Sequence, residues 1–469
     1  MPGSGGKLHA ITKLLSPTAG ARILLVTAVG YILSSLLGYA KGGVAVDHSF
    51  GMIKSIRGTP PFSDFLWVVI VGQCGTRSER LPHSISSICA TYGYGQPGGG
   101  YEATGYPPLA DYLVKIIDVP ARHSGAISLL VGILFVIAII LSSRRLFRFH
   151  WSWPLWLSVA LIGFPAQLLL ERGNIDSIIY LLMVGASALI CLGGWPGSLL
   201  LPLVVYTAIA LKAFPVLGFV GWLVSASAIN PKDYPISKFV KASVGLGCGI
   251  GIASLAPWAF STGIDIQFSG GLNSFGLKAI GYINTYLVST AGFEYGRLLI
   301  WMLIVLKLVS VVTPVILAVR ASLDETVFGF LRSVDNPSFR KYSETYFLLM
   351  TWTWLGCYLL TISYDYKHIF ILPSFLLFCA MLENHTLMTR LQRGIVLTLV
   401  TGALFVLLMP LFVHAQWHLL TKDTTIKLLE LFGEMVVIPF YAGSLLAILG
   451  LPLLRSVSGT RFARIGSST

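Results

Sequence analysis

The chain has 469 residues, of which 55% are hydrophobic and only 11% are charged. An ordinary soluble domain carries about a quarter charged residues, so this composition excludes a soluble protein and indicates an integral membrane protein. The formal net charge of +13 does not indicate nucleic-acid binding, because the lysines and arginines lie in short clusters between apolar runs and form no single basic stripe. We expect one membrane domain over residues 1–469, since no polar stretch divides the apolar segments.

Apolar runs that could cross a bilayer, which takes about 20 residues, occur along the whole chain. They begin near residues 22, 124, 153, 175, 239, 297, 343, 369, 394 and 434. The first run, Ala21 to Ala40, has no small-residue cleavage site and is interpreted as a retained crossing. The apolar segment from Leu199 to Val224 is interrupted by ALKAFP, which predicts two short helices that meet at Lys212 to Pro215.

Basic clusters give the predicted orientation. Counting the broken segment as a hairpin gives about twelve helices with both termini in the cytoplasm, and it places the basic clusters there too. These clusters are SSRRLFR (142–148), NPKDYPISKFVK (230–241), FLRSVDNPSFRK (330–341), TRLQR (389–393) and RSVSGTRFAR (455–464). The sequence therefore predicts an all-α polytopic membrane protein with a long first extracytoplasmic loop at about residues 41–123.

The cysteines and the glycine-rich stretch of that loop match no metal-binding or nucleotide-binding motif. The six cysteines of the chain show no C-x-x-C pair and no zinc spacing, so no thiolate metal site is predicted. Cys74 and Cys89 both fall in the loop, where an oxidising compartment would let them form a disulfide worth roughly 3 kcal/mol; two unpaired thiols are the alternative. The glycine-rich stretch at 93–108 lacks the Lys-Ser/Thr of a phosphate-binding loop, which argues against a nucleotide site.

Ionisable residues near helix ends are the candidate site residues, because each costs a few kcal/mol in hydrocarbon. Asp47 lies just beyond the first helix. A carboxylate there can act as a general base toward an alcohol, or it can be a solvated loop aspartate. Asp64 is a weaker candidate for the same role.

The stretch FPAQLLLERGNIDSIIYLL places Glu171, Arg172, Asn174 and Asp176 at one helix junction. Asn174 can cap the next helix, Asp176 can lie in its first turn, and Glu171 can pair with Arg172. Capping does not explain the guanidinium, so Arg172 is a candidate phosphate ligand. Lys212, in ALKAFP, either neutralises the C-terminal dipole of a half-helix or binds an anionic headgroup.

A short outer turn in SYDYKHIFILP contains Tyr364, Asp365, Tyr366, Lys367 and His368. Tyrosines at this position fit an interfacial aromatic belt. An aspartate, a lysine and a histidine within four positions also predict a cluster that recognises phosphate and hydroxyl groups.

Three further features of the sequence, a lysine, a histidine pair and a run of small residues, do not by themselves indicate a functional site. Lys307 lies in the middle of an apolar run, where it either snorkels to the interface or pairs within the bundle. His414 and His418 have i, i+4 spacing, but two ligands without a third predict no metal site. The small residues at 243–254 predict close helix packing.

The order and spacing of these motifs resemble the GT-C superfamily of membrane glycosyltransferases, in particular bacterial mannosyltransferases that use polyprenyl-phosphate-mannose. The resemblance rests on Asp47 after the first helix, GYPPLADYL (105–113) in the outer loop, RGNID (172–176), ALKAFP (210–215) and SYDYKHIFILP (363–373). It spans most of the chain and implies a GT-C-type bundle.

The resemblance also implies a reaction, an inverting sugar transfer from a polyprenyl-phosphate donor to an acceptor hydroxyl at the extracytoplasmic face of the bacterial inner membrane. Asp47 would deprotonate the acceptor, and the donor phosphate would be held by Arg172, Lys212, Lys367 and His368. Further substrate contacts are expected from Tyr106, Glu171, Asn174, Asp176, Tyr364 and Asp365. The expected partners are the lipid-linked sugar donor, a lipid or glycan acceptor and membrane lipids, with no nucleic acid. No cofactor or metal is expected, although a divalent cation stays open.

A secondary transporter or a lipid-linked glycan flippase is the alternative. About twelve helices, a broken helix and buried charges are also typical of transporters. The single long first loop and the polar residues gathered at one membrane face, instead of at the midplane, favour the transferase.

Overall fold

The computed structural model describes residues 17–40, 124–147, 152–172, 174–228, 236–261, 274–275, 293–333, 336–360, 363–384, 388–414 and 431–466. Six of the described helices are long and apolar enough to cross a membrane by length and composition. They are Ala126–Arg144, Gly194–Leu211, Lys238–Pro257, Arg297–Arg320, Arg390–Leu408 and Gly433–Ser456. The described part of the chain is therefore that of a helical membrane protein, and the number of about twelve crossings stays a prediction.

The secondary structure is almost entirely helical over the described residues. In chain order the α-helices are α1 Pro17–Ala40, α2 Ser124–Phe147, α3 Trp153–Ile162, α4 Phe164–Arg172, α5 Asp176–Leu192, α6 Gly194–Leu211, α7 Pro215–Ala228, α8 Lys238–Ser261, α9 Phe293–Arg320, α10 Leu323–Arg332, α11 Pro337–Leu360, α12 Leu372–Glu383, α13 Arg390–His414 and α14 Ile438–Gly466. A 3-10 helix, Asp365–Ile371, precedes α12, and a π-helical turn, Gly433–Val437, precedes α14. Strands β1 (Ser274–Phe275) and β2 (Ser363–Tyr364) form one antiparallel pair.

The predicted break in the segment around Lys212 is confirmed. Helix α6 ends at Leu211, the backbone of Lys212 is extended, and α7 begins at Pro215. Proline suits that first helical position because its missing N–H would have no partner there. The preceding reversal, from α5 into α6, passes through Gly193 and Gly194 with φ of 58° and 67°, a left-handed conformation that glycine adopts without a Cβ clash.

The apolar run near residue 153 is divided in the structure, which the sequence did not predict. Helices α3 and α4 are separated at Gly163, whose ψ of 148° lies outside the helical range. A Cβ at Gly163 would lie 3.0 Å from the Ala160 carbonyl oxygen. The break leaves the Leu161 carbonyl without a backbone N–H donor from its own helix. The side chain of Gln167 takes the place of that donor with a hydrogen bond of 3.0 Å to the Leu161 carbonyl.

A short helix that the sequence analysis did not identify precedes and overlaps the basic cluster 330–341. It is the amphipathic helix α10, and α11 already begins at Pro337. Gln392 of α13 donates hydrogen bonds to the Ala321 carbonyl at 2.7 Å and to Thr326 Oγ1 at 2.8 Å. These bonds fix the start of α10 against the bundle.

Arg455 ties the same helix to α14. Its guanidinium lies 2.9 Å from an Asp324 carboxylate oxygen and 2.6 Å from Glu325. Burial raises the pKa of the Asp324 carboxyl above its usual value, and the nearby Arg455 opposes that shift. The predicted C-terminal basic cluster therefore begins inside a helix that continues to Gly466.

Two of the four glycines in the 243–254 stretch, Gly247 and Gly251, make the close helix contact that was predicted. A Cβ at Gly247 would lie 2.7 Å from Val205 Cβ, and one at Gly251 would lie 2.8 Å from Ile209 Cγ2. Helix α8 therefore contacts α6 at a distance that only glycine permits.

The same close contact occurs between α9 and α14. A Cβ at Gly443 would overlap the carbonyl oxygen of Val311 and lie 2.9 Å from Pro314 Cγ. On the same helix, a Cβ at Gly450 would meet nothing within 4 Å.

We therefore expect Gly443→Ala to lower the free energy of unfolding by about 1–3 kcal/mol, because a backbone atom cannot move aside as a side chain can. Gly450→Ala is the matched control and should be neutral or stabilising by up to about 1 kcal/mol, because alanine favours helix. Thermal unfolding in detergent measures both. Equal stability of the two variants would contradict the backbone contact.

Candidate functional site

Three chain reversals carry the charged residues that the sequence singled out. The first joins α4 to α5, the second joins α6 to α7, and the third runs from β2 through the 3-10 helix into α12. Lys212 Nζ lies 2.7 Å from Asp176 Oδ1, which connects the first two reversals. Lys367 Nζ lies 4.9 Å from the centre of the Phe214 ring, which connects the third. All three reversals therefore meet at one end of the bundle.

Asn174 forms the predicted cap. Its Oδ1 accepts a hydrogen bond of 2.9 Å from the backbone N–H of Asp176, the first residue of α5. The side chain is buried, so this bond also satisfies a polar group that lies away from water.

Asp176 and Lys212 form a buried ion pair. The side chains are 0% and 14% exposed, respectively. Neither Asp176 oxygen accepts a hydrogen bond of good geometry from the described residues, so the 2.7 Å contact is held by charge. Asp176 lies in the first turn of α5 and Lys212 follows the last turn of α6, so each charge also has the sign that its helix dipole favours.

Lys367 and His368 line the third reversal. Both side chains are buried, and the 3-10 helix that carries them packs against α4. The Phe214 ring beneath Lys367 packs edge-on against Phe370 at 5.6 Å. The ammonium of Lys367 therefore lies over an aromatic face, an arrangement that attracts a cation without neutralising its charge.

A tryptophan that the sequence reasoning missed contacts His368. Trp354 of α11 donates its indole N–H to His368 Nδ1 at 3.1 Å. Trp354 stacks on Tyr358 at 6.0 Å and meets the Tyr441 ring edge-on at 5.6 Å. The i, i+4 spacing of Trp354 and Tyr358 in TWTWLGCYLL was the available signal, because it places both rings on one helix face.

Lys307 belongs to a second charged cluster. The residue is 1% exposed, so it does not snorkel, and its Nζ lies 5.9 Å from the centre of the Tyr358 ring. Glu434, in the π-helical turn, interacts electrostatically with both Lys307 and Tyr358. Of the two readings of Lys307, the structure supports pairing within the bundle.

Three charged side chains are described at the three reversals. Asp176 contributes −1, and Lys212 and Lys367 contribute +1 each, which leaves a net +1 among the described groups when His368 is neutral. Lys212 is paired with Asp176, and Lys367 lies over the Phe214 ring. A phosphate oxygen could accept from Lys367 and from His368, and a hydroxyl could donate to Asp176.

Several predicted residues cannot be compared with this cluster. Asp47, Asp64, Tyr106, Cys74, Cys89 and His418 lie outside the described residues. Glu171, Arg172, Tyr364, Asp365 and His414 are described in their backbone only. Arg172 ends α4, Tyr364 pairs with Ser274 across the strands, and Asp365 begins the 3-10 helix. Within the described part of the chain, no three His, Cys, Asp or Glu side chains group as metal ligands.

Comparison of the chain with protein-family models, curated proteins and solved structures finds no match.

The buried ion pair gives a direct prediction. Asp176→Asn or Lys212→Met alone should lower the free energy of unfolding by about 3 kcal/mol, because each leaves a charge without its partner in a low-dielectric interior. The double variant should lose less than the sum of the two. Lys238→Met, an exposed lysine at the start of α8, is the control and should change stability by less than about 0.5 kcal/mol. Additive losses in thermal unfolding would show that the two charges do not interact.

Proposed function

We propose that the protein is an inverting glycosyltransferase, which moves a sugar from a polyprenyl-phosphate donor to a lipid or glycan acceptor at the extracytoplasmic face of the bacterial inner membrane. The observation that carries the proposal is the meeting of three chain reversals, which brings Asp176, Lys212 and Lys367 to one end of the bundle. RGNID, ALKAFP and SYDYKHIFILP lie at these reversals, so three of the five motifs on which the resemblance rests are also neighbours in space.

The chemistry of the transfer fits this cluster. The leaving group is a lipid phosphate, which gains negative charge as the bond to the sugar breaks. Lys367 is a cation over an apolar ring, and a low-dielectric setting strengthens its attraction for the developing charge. A stable phosphate anion needs no proton from a general acid. The remaining requirement is a base for the acceptor hydroxyl, a role we propose for Asp47.

The orientation is part of the same proposal. Arg332 ends α10, Arg340 lies near the start of α11 and Arg390 begins α13. Helix α11 then runs toward the third reversal, so these arginines lie at the opposite end of the bundle from Lys367. A basic end in the cytoplasm and the candidate site outside agree with the positive-inside rule. With α3 and α4 taken as one crossing, and the 3-10 helix and α12 as another, the chain crosses about twelve times.

A secondary transporter or flippase is favoured by one observation, the second charged cluster. Lys307 is buried within the Arg297–Arg320 span, and buried ionisable residues inside a span are typical of transport pathways. The two functions differ in products: a transferase makes a new glycosidic bond, whereas a transporter or flippase only moves its substrate across the bilayer.

The proposal predicts the behaviour of purified protein in lipid nanodiscs with radiolabelled polyprenyl-phosphate sugars. The wild type should transfer label to an acceptor in membrane extract. Asp47→Asn should abolish transfer while retaining donor binding, because the substitution removes a base and preserves shape. Lys367→Met should weaken donor binding about tenfold or more, the effect of losing one charge-assisted hydrogen bond.

Lys341→Met is the matched control, since Lys341 lies near the start of α11, where its Nζ donates to the Cys191 carbonyl at 3.4 Å. Its donor affinity should equal that of the wild type. Turnover by Asp47→Asn would contradict the assignment of the base. A parallel assay in sealed vesicles that contain the protein tests the alternative: labelled donor that crosses the vesicle membrane unchanged, with no glycosidic product from any donor, would favour the transporter.

A further inference from the structure

Trp354 determines which ring nitrogen of His368 can carry a hydrogen. The indole Nε1 of tryptophan is a hydrogen-bond donor only, and it has no lone pair to accept with. It lies 3.1 Å from His368 Nδ1, so Nδ1 must supply the lone pair. A hydrogen on Nδ1 would set two N–H groups against each other, and a flipped imidazole ring would set a C–H against the indole N–H.

The direction of the indole is fixed independently of His368. Trp354 is stacked on Tyr358 with an angle of 13° between the rings, and it meets Tyr441 edge-on at 84°. Tyr441 is held in turn by a hydrogen bond of 2.8 Å between its hydroxyl and Ser374 Oγ. Because Trp354, Tyr358 and Tyr441 are nearly fully buried, the indole has little freedom to turn away. The imidazole adapts to the indole, and not the reverse.

We propose that Trp354 is a positioning residue, which fixes His368 as the tautomer that carries its hydrogen on Nε2. In this tautomer His368 presents a neutral donor to an oxygen atom of the ligand, and it acts neither as a base nor as a second cation beside Lys367. A neutral imidazole that is held by a second hydrogen bond is an established way to set the tautomer of a functional histidine. The proposal rests on the proposed function only for the choice of ligand.

This assignment gives Lys367 and His368 different roles toward the ligand. Lys367 supplies the full positive charge, and His368 Nε2–H supplies a directional hydrogen bond to an anionic or hydroxyl oxygen. A ligand group that can only donate hydrogens, such as an ammonium, would be rejected at Nε2. The headgroup recognised here is therefore an acceptor-rich one, such as a phosphate monoester or diester.

The tautomer can be read directly by nuclear magnetic resonance, with no need for enzyme activity. Protein with ¹⁵N-labelled histidines in nanodiscs gives long-range proton–nitrogen spectra, in which a protonated and an unprotonated ring nitrogen differ widely in shift. The chain has nine histidines, and the signal that disappears in His368→Asn identifies His368. We expect a protonated Nε2 and an unprotonated Nδ1 in the wild type at neutral pH.

Two tryptophan variants separate positioning from general packing. Trp354→Phe removes the indole donor and keeps an aromatic ring, so His368 should lose its tautomer preference. Trp352→Phe removes the neighbouring indole, which donates to Ser225 Oγ at 2.8 Å, and should leave the His368 signals unchanged. A protonated Nδ1 in the wild type would overturn the proposal. So would identical His368 signals in Trp354→Phe and the wild type.

A binding measurement tests the donor role of Nε2 with farnesyl phosphate as the probe. The amide of glutamine reaches the position of the imidazole Nε2, whereas that of asparagine reaches only Nδ1. His368→Asn should therefore raise the Kd about tenfold, and His368→Gln less than about threefold, as expected for the loss and the retention of one hydrogen bond to a charged group. A larger loss in His368→Gln than in His368→Asn would overturn the donor role. If the spectra show hydrogen on Nε2 of His368 but no sugar transfer is found with any donor, the tautomer assignment is confirmed and the proposed transferase function is wrong.

Discussion

The ion pair between Asp176 and Lys212 is the contact on which the candidate site depends. It joins the start of α5 to the end of α6, with 2.7 Å between Nζ and Oδ1, and so brings together two reversals that are separate along the chain. An unpaired carboxylate as buried as Asp176 would be strongly unfavourable, and a lysine partner on an adjacent helix end makes its burial possible. Both charges also agree with the dipoles of their helices.

Aromatic side chains contact two other lysines and a histidine of the bundle. Lys367 lies over Phe214, Lys307 lies near Tyr358, and Trp354 connects Tyr358 to His368. The face of an aromatic ring attracts a cation and leaves its net charge unchanged, whereas a carboxylate neutralises that charge. Lys212 is paired with Asp176, and Lys367 is the lysine that we propose as the ligand of the donor phosphate.

Local signals in the sequence predicted local features well. The break between α6 and α7 could be predicted from Pro215 and the polar Lys212. The cap of α5 could be predicted from the short polar side chain of Asn174. Both effects act within a few residues along the chain. The close packing of α8 could be predicted from its glycines, although its partner, α6, could not. The division at Gly163 was missed although Pro165, two residues later, was an available signal, because proline has no N–H to donate to the Leu161 carbonyl.

Contacts between distant segments could not be predicted in the same way. The pairing of Lys212 with Asp176, rather than with a ligand, depends on how α5 and α6 pack. Nothing in the sequence, apart from the spacing with Tyr358, distinguishes Trp354 from the other apolar residues of α11, and only the fold shows that its N–H meets His368 Nδ1. Lys307 had two equal readings until the structure showed a buried position near Tyr358 and Glu434.

The most direct test of the account is the position of a bound lipid phosphate, determined by cryo-electron microscopy of the protein in nanodiscs with farnesyl phosphate. The account predicts phosphate density at the three reversals, with an oxygen about 3 Å from Lys367 Nζ, while the Asp176–Lys212 pair stays intact. Phosphate density among the arginines at the opposite end of the bundle, with none near Lys367, would contradict it.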